Sequence, residues 1–186
     1  MPDPRPTNEF APVSFELRNG RRVTVREIRP EDKEAMHEAI GHLSADSRYT
    51  RFMAAVSDVP DRMLEKATHP VPDREFALVA VCEDEDREVI VAGTRYASTA
   101  GSESCEFAIT IVDDWQGQGM ASRLLQTLID AARAHGFKTM EGYVLSANAP
   151  MRGLAKRLGF HDSACPGDAT VRIVTRPLDG DASPPA

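Results

Sequence analysis

The stretch Ile111-Val112-Asp113-Asp114-Trp115-Gln116-Gly117-Gln118-Gly119-Met120-Ala121 gathers the residue types that hold an anion. An apolar, β-branched run enters it and a long amphipathic run leaves it, so its glycines fall between a strand and a helix. Glycine lets the backbone approach a ligand and adopt positive φ. A helix start leaves its first N–H groups without partners and carries partial positive charge. Together these features predict a cradle for a pyrophosphate, built from Gln116, Gly117, Gln118, Gly119, Met120, Ala121 and Ser122. The loop lacks the lysine and Ser/Thr pair of a P-loop, and its spacing is not the G-x-G-x-x-G of a dinucleotide site. An ordinary glycine-rich strand-to-helix turn shares these traits, so the loop alone does not decide the chemistry.

A second group worth chemistry is Glu106, in the otherwise apolar run Cys105-Glu106-Phe107-Ala108-Ile109 just before the loop. A carboxylate in such surroundings has its pKa raised by desolvation. A solvated strand glutamate is the plainer alternative, since strands commonly keep one wet face. Glu103, nearer the preceding turn, is a weaker candidate. Cys105 has no histidine beside it in sequence, and an unactivated thiol is a poor nucleophile.

These residues need elements to position them. Val13, Phe15 and Leu17 alternate with polar residues, Asn19-Gly20 follows, and Val23 and Val25 alternate again, which predicts a β-hairpin. Pro30, with Glu31, Asp32 and Glu34 in the first turn, opens a helix. Ser44 caps a second, running through Tyr49 and Phe52, and Asp58 or Pro60 begins a third. Strands are expected at Glu75–Cys82, Val89–Ala97 and Ser104–Val112, the first two joined by the acidic turn Glu83-Asp84-Glu85-Asp86. A long helix, Gln118–His135, carries Met120, Leu124, Leu125, Leu128, Ile129 and Ala132 on one face and stops at Gly136. A strand at Thr139–Leu145 leads to a helix capped by Asn148, with Met151, Leu154, Ala155 and Leu158 inward and a stop at Gly159. Val171–Thr175 is the last expected strand. The order predicts an α/β fold: one domain over 13–178, a mixed central β-sheet flanked by helices, with an N-terminal β-hairpin. Residues 1–12 and 179–186 are expected to be flexible termini.

Bulk properties narrow the function. A chain of 186 residues with 41% hydrophobic content suits one globular domain. The net charge of -7 argues against a sequence-independent nucleic-acid partner and is compatible with a cationic one. No apolar run has the length of a membrane span, and the N-terminus has no apolar signal core. Cys82, Cys105 and Cys165 are odd in number and widely spaced, which argues for a reducing cytoplasm and against a disulfide or zinc framework. No metal site is expected.

The segment Gln116–Ala121 resembles the Q/R-x-x-G-x-G/A signature of the GNAT acetyltransferases. Asn148 with Leu158-Gly159-Phe160 is similar to that family's second signature, in the right order. The resemblance spans about Val13 to Leu178. More narrowly, Asn19-Gly20 through Arg29-Pro30-Glu31-Asp32, Leu43 to Tyr49 with Arg51-Phe52, and Asp113-Asp114-Trp115-Gln116-Gly117 resemble the catalytic domain of Pat-type bacterial protein lysine acetyltransferases. Some of those carry a fused cyclic-nucleotide-binding or acyl-CoA-synthetase-like domain. On a length of 186 residues neither is expected here, and regulation through such a domain is not carried over.

The resemblance implies acetyl-CoA as co-substrate and an amine acceptor, a protein lysine by the narrower likeness. It implies that the 116–122 loop holds the CoA pyrophosphate and that Ile111 and Val112 offer backbone groups to the pantetheine amides. Asn148 would lie near the pantetheine arm, and Arg152 within reach of a CoA phosphate. Lysine's ordinary pKa of about 10.4 means that acetylation at neutral pH needs a base; Glu106 stands where the Pat-like pattern places a catalytic glutamate. One departure is Ala155, which occupies the position where many relatives have a tyrosine that protonates the leaving thiolate. A thiol of pKa near 8.5 is nonetheless a fair leaving group. That departure leaves open a non-catalytic acyl-CoA-binding sensor or partner module, beside an enzyme that acetylates a small amine.

Overall fold

The computed structural model describes residues 10–179; the expectation of flexible termini falls mainly outside them. The first strands are β1 (Val13–Glu16) and β2 (Arg22–Glu27). Between them Gly20 takes φ of +82° and donates to the Leu17 carbonyl, closing the expected hairpin. A 3-10 turn at Pro30–Asp32 leads into α1 (Lys33–Gly41), followed by α2 (Ala45–Phe52) and α3 (Asp61–Thr68). Ser44 caps α2 as expected, its hydroxyl accepting from the Ser47 amide at 3.1 Å.

Strands β3 (Glu75–Asp84), β4 (Arg87–Ala97) and β5 (Ser104–Ile111) form an antiparallel meander. Helix α4 (Met120–Ala134) follows, then β6 (Thr139–Leu145), α5 (Ala149–Arg157), β7 (His161–Cys165) and β8 (Asp168–Pro177). Among the described residues the strands make one 8-stranded sheet in the order β1-β2-β3-β4-β5-β6-β8-β7. Its one parallel contact there is β5 with β6; the other pairings are antiparallel.

The sheet is covered on both faces. On one, Phe76, Leu78, Tyr96, Phe107 and Met140 pack with the inward stripe of α4, where Leu124, Leu125, Leu128 and Ile129 have no exposed surface. Burying each such side chain contributes about 1.5–3 kcal/mol, which ties α4 firmly across the sheet. On the other face Ile28, Ala39, Ala77, Val79, Val81 and Ile90 form a smaller core under α1. A buried ion pair pins the entry to that layer. Arg26 donates to both carboxylate oxygens of Asp32 at 2.8 Å and also reaches Glu88 at 2.8 Å. Asp32 accepts a further bond from the Arg29 amide at 2.7 Å.

Three expectations are corrected. The long helix starts at Met120, not Gln118, because Gly119 takes φ of +87° and ends the loop there. Its last helical residue is Ala134, with His135 capping. The final strand is longer than Val171–Thr175, and a further strand, β7, pairs with it. The β7 sequence His161-Asp162-Ser163-Ala164-Cys165 has no buried residue, so it lacks the apolar alternation that reveals strands. The acidic segment after β3 is a tight reversal in which Glu85 and Asp86 both have positive φ.

Candidate functional site

Pairing between β5 and β6 covers Ser104↔Thr139, Cys105↔Met140 and Glu106↔Glu141, and then stops. Strand β5 continues to Ile111 and β6 to Leu145, so the two separate and leave unpaired edges on either side of a gap. At the start of the gap the Phe107 ring lies against Gly142, where even a Cβ would collide with it. The ring also packs edge-on to Phe160, with centroids 5.3 Å apart. A splayed pair of backbone edges is suited to a long amide-bearing ligand, because the freed N–H and C=O groups need partners.

The glycine loop sits just beyond the β5 end of this gap. A 3-10 turn, Asp113–Trp115, brings the chain round, and the Gln116 amide donates to the Asp113 carbonyl at 3.1 Å. Gly117 and Gly119 both have positive φ, at 73° and 87°. Neighbouring elements brace the loop. Asp113 accepts from the Ser44 amide at 3.2 Å, and Arg21 donates to the Asp114 carbonyl at 2.7 Å while lying 3.7 Å over the Trp115 ring. The Arg18 guanidinium lies about 3.5 Å from where a Gly119 Cβ would stand. The N–H groups at the start of α4, the helix dipole and this cation together suit a pyrophosphate.

The expected contact residues have distinct surroundings. Gln116 directs its side-chain amide to the Ile111 carbonyl at 3.0 Å and the Ser47 hydroxyl at 3.3 Å, bracing the loop. The Val112 amide donates to Val91 at 3.0 Å, and its carbonyl accepts from Trp115 at 2.8 Å. Asn148 caps α5 by accepting from the Met151 amide at 3.1 Å. Arg152 holds Asp162 at 2.7 Å and the Ser146 carbonyl at 3.1 Å, tying α5 to β7. The structure therefore groups Ile111, Val112 and residues 116–122 at one end of the gap. Asn148 and Arg152 follow β6 on its far side.

Glu106 lies on the α1–α3 face of the sheet, in a cavity of about 420 Å³. Its neighbours on the cavity wall include Arg51 from α2, Phe52, Glu75, Arg95 and Ala108. The Glu106 side chain is exposed, and the cavity wall beside it removes only part of its water. That partial desolvation, followed by repulsion from Glu141, raises its pKa above the ordinary carboxylate value, and Arg51 opposes the rise. The expected direction of shift is therefore present, in a half-enclosed site. Arg51, Glu75, Arg95 and Glu141 had no role in the reading from sequence. Arg51 was visible there only as part of a family-like segment, and nothing local marks Glu75, Arg95 or Glu141.

Other polar candidates are accounted for by packing. Cys105 points to the opposite face, where burial, then Glu141, pushes its thiol up to about 12. Tyr96 is buried on that face too, its hydroxyl bonded to His135 Nδ1. Ala155 is buried on the inner face of α5. Tyr143 lies two positions beyond Glu141 on the gap edge of β6, exposed, its hydroxyl kept protonated to higher pH by Glu141, then burial and Glu106. No group of three or more His, Cys, Asp or Glu placed to hold a metal occurs among the described residues. No helix there is long and apolar enough to cross a membrane.

A mixed sheet parted at its parallel pair, with a glycine loop feeding a helix at the mouth of the gap, defines an acyl-CoA-dependent transferase. The model of the acetyltransferase (GNAT) domain matches residues 22–161. The chain belongs to that family, the acetyl-CoA-dependent N-acetyltransferases. An acetyltransferase of Pseudomonas aeruginosa is 34% identical over 154 residues, covering 83% of each chain. The acetyltransferase Pat of Mycolicibacterium smegmatis is 28% identical over 151 residues, or 81% of this chain and 44% of Pat. A shorter match, 43% over 58 residues, covers 31% of this chain and 34% of an L-methionine sulfoximine/L-methionine sulfone acetyltransferase of Pseudomonas aeruginosa. The crystal structure of the GNAT domain of S. lividans PAT superposes with a TM-score of 0.80 at 24% identity, covering 91% of this chain and 99% of that one.

Proposed function

We propose that this acetyltransferase moves the acetyl group of acetyl-CoA directly to a primary amine, with Glu106 as the general base. The observation that carries this reading is the place of Glu106: the last paired position before the gap, in the cavity wall, with its pKa raised. An ionised Glu106 takes a proton from the ammonium, directly or through water. The freed amine attacks the thioester carbonyl carbon, the carbon–sulfur bond breaks, and the proton that the nitrogen sheds passes through water to the departing sulfur, so CoA is released as thiol. Loop 116–122 holds the pyrophosphate and the unpaired stretch of β5 running to Ile111 aligns the pantetheine arm, with Asn148 on its other side. Val112, expected to offer backbone groups, has its amide and carbonyl bonded to Val91 and Trp115 and contributes side-chain contact only. Arg152 is held by Asp162 and the Ser146 carbonyl, and reaching a CoA phosphate, its expected role, would use the donors left over from those bonds. Aligning the two reactants supplies much of the rate gain, because a bimolecular step becomes effectively intramolecular.

The first reading of the acceptor is a protein lysine, supported by the Pat-like segments and by the similarity to Pat over most of this chain. A second reading, a small amine, is favoured by the cavity, whose walls include a cation with no hydrogen-bonded partner among the described residues, set among apolar side chains. The free cysteines support a cytoplasmic setting. The test is thiol release from acetyl-CoA with proteins and small amines as acceptors, followed by mass spectrometry of the products. Enzyme-dependent acetyl-lysine that disappears in Glu106→Gln is the expected result. Turnover of free amines alone would favour the second reading, and no turnover with any amine would refute the transferase mechanism.

A further inference from the structure

We propose that Arg51 forms an anion subsite in the acceptor cavity, so that the acceptor is an amine carried beside a carboxylate. This rests on reading the Glu106 cavity as the amine side of the reaction. Arg51 stands in the last turn of α2 and lines the cavity together with Glu106. Its guanidinium makes no hydrogen bond and no ion pair among the described residues; a ring contact with Phe52, at 5.2 Å, is its close partner. The other cations of the cavity differ. Arg95 is tied to Glu75 at 3.0 Å, and Lys66 is exposed at the rim.

A guanidinium cannot shed its proton at any working pH, so Arg51 is charged wherever it lies. Burial and the nearby Arg95 both disfavour that charge, and only Glu106 acts in its favour. Arg51 is half-buried, facing the cavity, and a partly desolvated charge without a bonded partner is costly unless a ligand relieves it. Glu106 cannot be that bonded partner and still serve as base: a forked arginine bond would occupy its oxygens and depress its pKa, whereas the pKa is raised. The planar fork of arginine matches a carboxylate in a two-bond arrangement. Met36, Leu43, Phe52 and Leu64 add apolar wall. The cavity thus fits a ligand with an amine at Glu106, a carboxylate at Arg51 and an apolar body. Two sources supply that chemistry: the carboxylate of a free α-amino acid, or an acidic side chain flanking a lysine.

The test is calorimetry on the CoA-loaded enzyme with matched pairs of probes. One pair is L-leucine and L-leucinamide; the other is acetyl-Ala-Lys-Glu-amide and acetyl-Ala-Lys-Gln-amide. The wild type is expected to prefer the carboxylate member of one pair by about tenfold, the scale of a lost charge-assisted bond. The pair that shows the preference identifies the source. Arg51→Met should abolish the preference and Arg51→Lys should keep part of it, with acetyl-CoA affinity unchanged in both. Equal affinities in the wild type, a preference that survives Arg51→Met, or no binding of any probe would overturn the proposal. The wild-type comparison needs no variant, so it stands if Arg51→Met fails to fold. Thiol release from acetyl-CoA is read in parallel: discrimination in binding without release supports the subsite and counts against the transfer mechanism alone.

Discussion

Glu106 and Glu141 occupy the same rung of the parallel pair β5–β6, the last before the strands part. Neighbouring positions in register share a face, so the two carboxylates repel across the start of the gap. Burial is the larger influence on Glu106, and the Glu141 charge adds to it.

If Glu106 is the base, its ionised form is active, and turnover rises as pH climbs through its raised pKa. Removing the Glu141 charge in Glu141→Gln stabilises the ionised form and should move the acidic limb of the pH–rate profile to lower pH. Glu106→Gln should slow turnover by about a hundredfold or more, the usual scale for a lost general base. Acetyl-CoA affinity should hardly change. Initial rates from pH 5 to 9 and calorimetry check all three. An acidic limb unmoved in Glu141→Gln would separate the limb from Glu106.

Gly119 should be intolerant of an acidic side chain. At φ of +87° any Cβ costs about 1–2 kcal/mol of backbone strain. A carboxylate there also stands where a phosphate is proposed to bind and next to Arg18. Gly119→Asp is expected to weaken acetyl-CoA binding by about tenfold or more, through charge repulsion at the helix start. Calorimetry measures the affinity, and a melting curve separates that loss from unfolding.

The Arg26–Asp32 pair predicts a sensitive point far from the chemistry. Both side chains are at most 9% exposed. Burial alone would raise the Asp32 pKa, but the bonds from Arg26 and the Arg29 amide outweigh it and hold the value below the ordinary one. A carboxylate with a lowered native pKa stabilises the fold fully above its unfolded pKa of about 3.9, and this stability is lost as pH falls through the native value. Asp32→Ala leaves the buried Arg26 with the half-exposed Glu88 as its one carboxylate and should cost about 3 kcal/mol at neutral pH, the low end for a broken buried pair. Urea unfolding between pH 7 and pH 3 should show a flatter acid dependence in the variant.

Gly142 is the position on β6 against which the Phe107 ring rests. Gly142→Ala must displace the ring from both Gly142 and Phe160, an overpacking that costs about 1–3 kcal/mol. Because Phe107 follows Glu106, turnover should fall more than acetyl-CoA affinity does. Denaturant unfolding and steady-state kinetics report the two effects. A variant as stable and active as the wild type would show that the ring yields without cost.

Much was decided by neighbours along the chain. The Ser44 and Asn148 caps, the Gly136 stop of α4, and its inward stripe from Met120 to Ala132 all depend on residues within a few positions. Local sequence carries such features because helix caps and periodic faces are built from short-range bonds and spacing. The glycine loop was legible for the same reason, as was Glu106, set in an apolar run beside that loop. Strand β7 was not, because it is held by pairing with β8 and buries nothing of its own. Only the tertiary structure could bring Arg51, Glu75, Arg95 and Glu141 around Glu106. That meeting depends on the order β3-β4-β5-β6, on the register of each pair, and on α2 lying over β5. Strand order and register are long-range choices, made by packing two faces at once, and no short stretch of sequence records them.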